Sequence, residues 1–393
     1  MKRKNSAASS RGLAPTPRAA LLTLALAAGS ASFGAPAADI GKIDANMAVK
    51  KTVSDGIRWY DPAEAPFRLG GLNWFRENRL YRRLPVRPDL PKGPAALAHC
   101  TTAVTVAFRT NSRRIQLDVR ETVRFAGFPH MPPTGRSGFD LYVGGPGKWR
   151  IAGVSIFKPK SDRVELFADQ GEPAMREFLI NFPLYNGVEE IRIGLDEKAE
   201  VLPPTPYASP KRIVAYGGSV MQGACASRPG RAFMNIIGRH FNLEVVNLGF
   251  SGSSYFEPVM GELTAAVERP AVVILEGDRN AGWKRIRELE PAFIETIRKK
   301  HPGVPIVVMN GNPWWGERDP ARDRNVAEQR AFLERMAKSD PDLIFWDCVD
   351  FIGPDHGECL VDGKHPSDLG FYRMSEQMIR RLTPILKKYK VIE

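Results

Sequence analysis

The chain is poor in cysteine, with four in 393 residues, and it lacks any short repeat. A chain this long buries enough surface to fold without disulfide or metal staples, and the missing period argues against solenoids and propellers. Beyond the N-terminus no apolar run reaches the roughly 20 residues that a spanning helix needs, which speaks against an integral membrane protein. No basic run with interleaved aromatics stands out, so no nucleic-acid footprint is expected. Glycine and proline number only 35 and 32, too few for a disordered or collagen-like chain.

What is present begins with a basic start. Lys2, Arg3, Lys4, Arg11 and Arg18 precede an apolar stretch from about Ala19 to Ala28, then small residues ending in Ala35-Pro36-Ala37. A basic region, an apolar region and an A-x-A site predict an export signal over residues 1–37, which places the mature protein in the periplasm or outside the cell. Without these five basic residues the formal charge falls from +12 to +7, mildly basic and suited to acidic polymers or cell-envelope surfaces. In an exported chain Cys100, Cys225, Cys348 and Cys359 can pair in three ways. Cys348 and Cys359 are closest in sequence and are the first candidates for a bridge. A zinc reading would join them to His356 and His365, but the spacing matches no zinc pattern.

Residues 39–202 read mostly as β structure. Val104–Phe108 and Ile115–Val119 alternate with period two around the turn Thr110-Asn111-Ser112, and further strands are predicted at Phe139–Val143, Trp149–Ile156, Arg163–Phe167, Phe178–Phe182 and Glu190–Leu195. Several short strands with turns between them predict a β-sandwich. Residues 203–210 are Pro-dense and read as a linker. From 211 to 393 strand-like runs at Arg212–Tyr216, Glu244–Leu248, Ala271–Leu275, Val304–Met309 and Leu343–Trp346 alternate with helical stretches, the last from about Leu369 to Lys388. That alternation predicts a parallel sheet covered on both faces. Ligands in such sheets sit at the carboxyl ends of the strands.

Four of the loops there carry candidate chemistry. Tyr216-Gly217-Gly218-Ser219 ends the first strand with a serine freed by two glycines; an N-cap serine is the competing explanation. Asp362-Gly363-Lys364-His365-Pro366 precedes the last helix, and an Asp three residues before a His can orient the imidazole as a base, although Asp, Gly and His-Pro also suit plain turns. After the second strand, Gly249-Phe250-Ser251-Gly252-Ser253-Ser254 can point backbone N–H groups into a site; after the third, Asn280 can add a side-chain amide.

In this order the four blocks resemble the GDSL/SGNH hydrolase superfamily. Gly217–Gly230 followed by Asn247–Gly252 looks like the branch with a G-T-S-x-T-Q-G block. In the first half, Tyr81–Pro85, Gly138–Tyr142 and Pro183–Val188 resemble the β-domain, marked by G-x-D-L-Y, that precedes this catalytic domain. The resemblance implies a three-layer α/β/α flavodoxin-like domain after a jelly-roll-like β-sandwich, with a Ser-His-Asp triad and no metal or cofactor. Carried over by position, Ser219 is the nucleophile, His365 the base and Asp362 its partner, with the N–H groups of Ser219 and Gly252 and the Asn280 side chain as oxyanion hole. Three departures stand out. Gly218 takes the place of the Asp that gives GDSL its name, the third block reads Gly-Asp-Arg-Asn rather than G-x-N-D, and Met221 replaces the last glycine of a G-x-S-x-G elbow. Asn310 and Asn312 are fallback donors to the oxyanion.

The Trp314-Trp315 pair is a candidate to stack on a sugar ring or to pack against the β-domain. Cys225, six residues after Ser219, is set aside as a nucleophile. His240 falls on an apolar helix; His99, His130 and His301 have no partners in sequence, and Asp140 reads as structural. The expected activity is hydrolysis of short acyl esters, acetyl first, on a small-molecule or polysaccharide substrate. An acyltransferase using the same acyl-enzyme, or a carbohydrate-binding protein with a degenerate site, are the rival readings.

Overall fold

A computed structural model describes residues 53–122, 129–156, 162–310, 320–349, 351–353 and 356–393. The leader, Asn312, Trp314 and Trp315 lie outside the described residues. Residues 51–393 form one compact unit.

The first part is made of antiparallel strands: β1 (Val53–Ser54), β2 (Ile57–Tyr60), β3 (Arg68–Gly70), β4 (Thr105–Thr110), β5 (Arg114–Glu121), β6 (Asp140–Val143), β7 (Arg150–Val154), β8 (Arg163–Ala168), β9 (Arg176–Asn181), β10 (Val188–Asp196) and β11 (Val201–Leu202). One sheet runs β1-β2-β10-β5-β8 and the other β11-β4-β9-β6-β7, with β3 also on β4. Alternation decides which side chains enter the core. Ile115, Leu117 and Val119 of β5 and Ile191, Ile193 and Leu195 of β10 meet Val106, Phe108, Phe178 and Ile180 from the facing sheet. The second sheet is covered on its other face too, where Ala107, Tyr142 and Leu179 are buried.

The second part contains β12 (Arg212–Gly217), β13 (Val245–Gly249), β14 (Pro270–Glu276), β15 (Ile306–Met309) and β16 (Leu343–Trp346), all parallel in the order β13-β12-β14-β15-β16. Its helices are α1 (Ser219–Gln222), α2 (Phe233–Phe241), α3 (Pro258–Ala265), α4 (Asp278–Lys300), α5 (Pro320–Ser339) and α6 (Asp368–Lys388). On β12, Ile213 and Ala215 face a core shared with α2 and α6, while Val214 and Tyr216 face one shared with α3 and α4. The result is three layers. Strand order reverses direction at β12, so the ends of β12, β13 and β14 frame the crevice where ligands enter such sheets.

The Pro-dense segment 203–210 is tied down rather than loose. Its Pro203 carbonyl accepts from Arg109 Nε at 2.7 Å, Thr205 bonds the Glu177 carboxylate through both its N–H (3.0 Å) and its hydroxyl (2.6 Å), and Asn242 Nδ2 donates to the Pro206 carbonyl at 2.8 Å.

The cysteine bridge expected between Cys348 and Cys359 is not formed; all four cysteines are free and buried. Each of that pair is held by its own neighbours: the Cys348 thiol lies 3.7 Å from the Trp346 carbonyl and the Cys359 thiol 3.3 Å from the Ile352 carbonyl. Closeness in sequence does not aim two Cβ–Sγ bonds at each other.

Candidate active site

The chain leaves β12 at Gly217 and turns into α1 at Ser219. Both glycines sit against close neighbours, backbone at Gly217 and a side-chain end at Gly218. A Cβ on Gly218 would lie 2.5 Å from Asn280 Oδ1, and one on Gly217 would lie 2.8 Å from the Glu276 carbonyl. A side chain in place of Gly218 would require the Asn280 amide to shift. The Gly218 N–H donates to the buried Glu276 carboxylate at 3.2 Å, which fixes the turn from below. Helix α1 is a single turn, closed by Gly223 at φ 95°, whose N–H reaches back to the Ser219 carbonyl at 3.1 Å.

Asp362 and His365 come to Ser219 from the other end of the chain. Their loop folds on itself, with the Val361 N–H on the His365 carbonyl at 2.9 Å and Gly363 at φ 75° making the tight reversal. Asp362 Oδ1 accepts from the N–H groups of Lys364 (3.0 Å) and His365 (2.8 Å), and Oδ2 pairs with His365 Nδ1 at 2.8 Å. The opposite ring nitrogen, Nε2, is 2.9 Å from Ser219 Oγ. Partial burial works against the Asp362 charge, but the two N–H groups and the imidazole outweigh it and hold its pKa at about 2. The aspartate is thus a carboxylate at neutral pH, and its acceptor oxygen puts the Nδ1 proton on its own side. Nε2 is left to take a proton from the serine.

Two other loops flank the serine. Gly249 packs on α1 so closely that a Cβ would lie 2.7 Å from the Gln222 N–H. Gln222, fully buried, holds this loop to the serine turn: its Oε1 accepts from the Ser251 N–H at 2.8 Å, and its Nε2 donates to the Leu184 carbonyl at 3.2 Å. Gly252 sits at φ 65° with open space where a side chain would be. Among the described residues nothing accepts from the N–H of Gly252 or of Ser219. Asn280 Oδ1 accepts from the Ser254 hydroxyl at 2.9 Å and, more weakly, from the Ser254 N–H at 3.4 Å. A backbone N–H only donates, so Oδ1 faces Ser254 and the Asn280 Nδ2 end is the one left to donate.

The fallback donor Asn310 is engaged elsewhere. Its Nδ2 donates to Asp347 Oδ1 and its Oδ1 accepts from the Cys348 N–H, both at 2.7 Å, so its amide links the ends of β15 and β16. Cys225 is no nucleophile either: burial and the nearby Asp362 charge push its thiol up to about 12, leaving it protonated at neutral pH. His301 is used elsewhere, its ring 2.7 Å from the Ala265 carbonyl. His130 was not expected near the site, yet its ring stacks on His365 with centroids 5.9 Å apart.

Arg83 and Tyr185, which sequence reasoning missed, and Asp140, which it read as structural, come from the first domain. Arg83, 1% exposed, donates to the carbonyls of Cys100 (2.6 Å), Leu97 (3.1 Å), Asn247 (2.9 Å) and Gly249 (2.6 Å), and covers the Phe250 ring. It thereby clamps the start of the Gly252 loop. Burial pulls its pKa down to about 10, still charged at neutral pH. The hydroxyl of Tyr185 donates to the Ser219 carbonyl at 3.4 Å. Asp140, fully buried, accepts from Asn181, Arg228 and the Gly230 N–H at 2.7–2.8 Å. All three lie in the segments Tyr81–Pro85, Gly138–Tyr142 and Pro183–Val188. The signal was there in those motifs, but not the direction in which they point.

Comparison with known proteins agrees with this architecture. Residues 57–201 match the family described as the N-terminus of Esterase_SGNH_hydro-type, and residues 210–383 match the GDSL-like Lipase/Acylhydrolase family. A protein from Bacteroides ovatus ATCC 8483 described as a GDSL-like lipase is 30% identical, with TM-score 0.75 over 84% of this chain and 98% of its own. The salicylyl-acyltransferase SsfX3 of a tetracycline biosynthetic pathway has TM-score 0.66 at 19% identity, over 85% and 98%. A family two carbohydrate esterase from Clostridium thermocellum, solved with cellohexaose, has TM-score 0.51 at 15% identity, over 73% and 93%. The last two are likenesses of fold. No curated protein matches the chain.

Proposed function

This chain belongs to the GDSL-like lipase/acylhydrolase family, and from that premise we propose that it is an exported serine esterase removing short acyl groups, acetyl first, from carbohydrate. The observation that carries the reading is the Ser219–His365–Asp362 relay, closed at 2.9 and 2.8 Å. In the proposed reaction Ser219 Oγ attacks the ester carbonyl while His365 Nε2 takes its proton. The oxyanion is held by the N–H groups of Ser219 and Gly252 and by Asn280 Nδ2. The tetrahedral intermediate then expels the alcohol, which takes the proton from His365. Water, activated by the same imidazole, releases the acid from the acyl-enzyme. Support for a carbohydrate substrate comes from the proposed leader and from the likeness to a carbohydrate esterase. Among the described residues no helix is long and apolar enough to cross a membrane.

The likeness to an acyltransferase favours a second reading, in which an acceptor alcohol replaces water at the acyl-enzyme. Both readings are tested by following p-nitrophenyl acetate cleavage by protein from Ala38 onward, with Ser219→Ala as control, and then acetylated polysaccharides with and without added alcohols. Serine-dependent release into water is expected. Release that rises only with an acceptor alcohol would favour transfer, and equal inactivity of wild type and variant on every ester would contradict both.

A further inference from the structure

A cluster beside the relay shares its His365 and adds two side chains, Cys225 and His130, that none of these steps uses. Cys225 is buried six residues after Ser219, His130 stands exposed before the helical turn Pro133–Arg136, and His365 arrives from the far end of the chain. Three distant segments therefore bring one thiol and two imidazoles together, their ligand atoms all within 4.8 Å of one another. The charge there is favourable to a cation: His130 Nε2 is 3.9 Å from Asp362 Oδ2, so a carboxylate borders the cluster.

We propose that Cys225, His130 and His365 form a binding site for a thiophilic divalent ion of the zinc class, and that its occupancy switches the esterase off. One sulfur and two imidazole nitrogens are a donor set that zinc takes readily, with water in the fourth position. Zinc–sulfur and zinc–nitrogen bonds of about 2.3 and 2.0–2.1 Å put tetrahedral ligand atoms roughly 3.4–3.6 Å apart. The trio thus has to close by little more than 1 Å, roughly. Rotation of the exposed His130 side chain about its own bonds would supply most of that. On binding, the Cys225 thiol loses its proton to solvent and the thiolate and both imidazoles donate lone pairs to the metal; nothing is oxidised.

Inhibition follows from bookkeeping at His365. One of its nitrogens pairs with Asp362 and the other with Ser219. Whichever nitrogen the metal takes, one link of the relay is broken. A metal on Nδ1 replaces the proton that Asp362 orients, and a metal on Nε2 occupies the lone pair that accepts the serine proton. This second half of the proposal rests on the esterase reading; the binding half does not.

The test separates the two. Co2+ is titrated into the wild-type chain and its absorption recorded. A thiolate-to-metal band in the near ultraviolet with intense tetrahedral visible bands is expected, and both are lost in Cys225→Ser and weakened in His130→Gln. Since all four cysteines are free, Cys225→Ser also assigns the band to this thiol. Absence of the band in wild type overturns the site, whether or not the protein is an esterase. Zn2+ inhibition of ester cleavage is then measured, normalised to each variant's own rate. Losing even an outer partner of a metal site costs about 10–100-fold in affinity, so the half-inhibiting Zn2+ concentration should rise at least about tenfold in either variant and inhibition should reverse with a chelator. A cobalt band without zinc inhibition would overturn the switch while leaving the site. Should Cys225→Ser fail to fold, the His130→Gln shift alone decides: an unchanged half-inhibiting concentration contradicts the proposal.

Discussion

The sandwich and the parallel-sheet domain build their cores by the same alternation, yet they place their polar residues differently. In the parallel domain the polar groups gather at strand ends, where 217–219 follows β12, 249–254 follows β13 and 276–280 follows β14. In the first part, Arg83, Asp140 and Asn181 are buried in positions that point out of their own domain, Arg83 toward the start of the Gly252 loop, Asp140 toward Arg228 and Gly230, and Asn181 toward Asn235 of α2. One domain carries the candidate relay, and Arg83 of the other holds backbone beside it.

The comparison can be sharpened from either side. On the parallel side the largest effect is expected from Asp362→Asn, which keeps the loop's shape but removes the charge that fixes the Nδ1 proton. The loss in kcat should approach about 10³–10⁴-fold with the fold intact by circular dichroism. A rate within tenfold of wild type would mean that another carboxylate serves His365. The same variant reads out a stability effect. Asp362 is depressed to about 2 in the folded chain, below the roughly 3.9 of an unfolded aspartate. Its contribution is therefore present above about pH 4 and lost as pH falls toward 2, so the Tm difference between wild type and variant should shrink over that window. Next in size is Asn280→Ala. Loss of one oxyanion donor costs about 10²–10³-fold in kcat with KM little changed. A pure KM effect would move Asn280 from the oxyanion to the substrate.

From the sandwich side, Arg83→Met should give the smallest catalytic effect but a measurable one. The variant leaves the Asn247 and Gly249 carbonyls without their donor, each buried orphan costing about 1–3 kcal/mol in urea-unfolding stability. If the clamp matters for the site, kcat falls while KM holds, and Arg83→Lys recovers part of it. Loss of stability alone, with kcat unmoved in the folded fraction, would reduce Arg83 to a structural tie and break the proposed division of labour.

The legible parts of this molecule were the local ones. Each of the five parallel strands lies within a residue or two of its expected place because buried apolar runs need no distant information. The glycine turn at Ser219 and the Asp362-x-x-His365 loop were readable because each is a few residues long and carries its own geometry. Long-range partners were not. Arg83 and Gly249 are 166 residues apart, and nothing in the Tyr81–Pro85 motif says that its arginine crosses a domain boundary. Gln222 was read only as part of a motif, because its hold on Ser251 exists only once β13 lies beside β12. Asn310 was a fair candidate until β16 placed Asp347 and Cys348 against it, and the cluster of Cys225 with His130 needed the whole fold.

The most direct measurement is intact-mass analysis of the chain after treatment with a fluorophosphonate, followed by peptide mapping. A relay that makes one serine nucleophilic should yield a single adduct on Ser219, absent in Ser219→Ala and slowed in Asp362→Asn. No adduct, or an adduct on another residue, would contradict the assignment of Ser219 as the nucleophile.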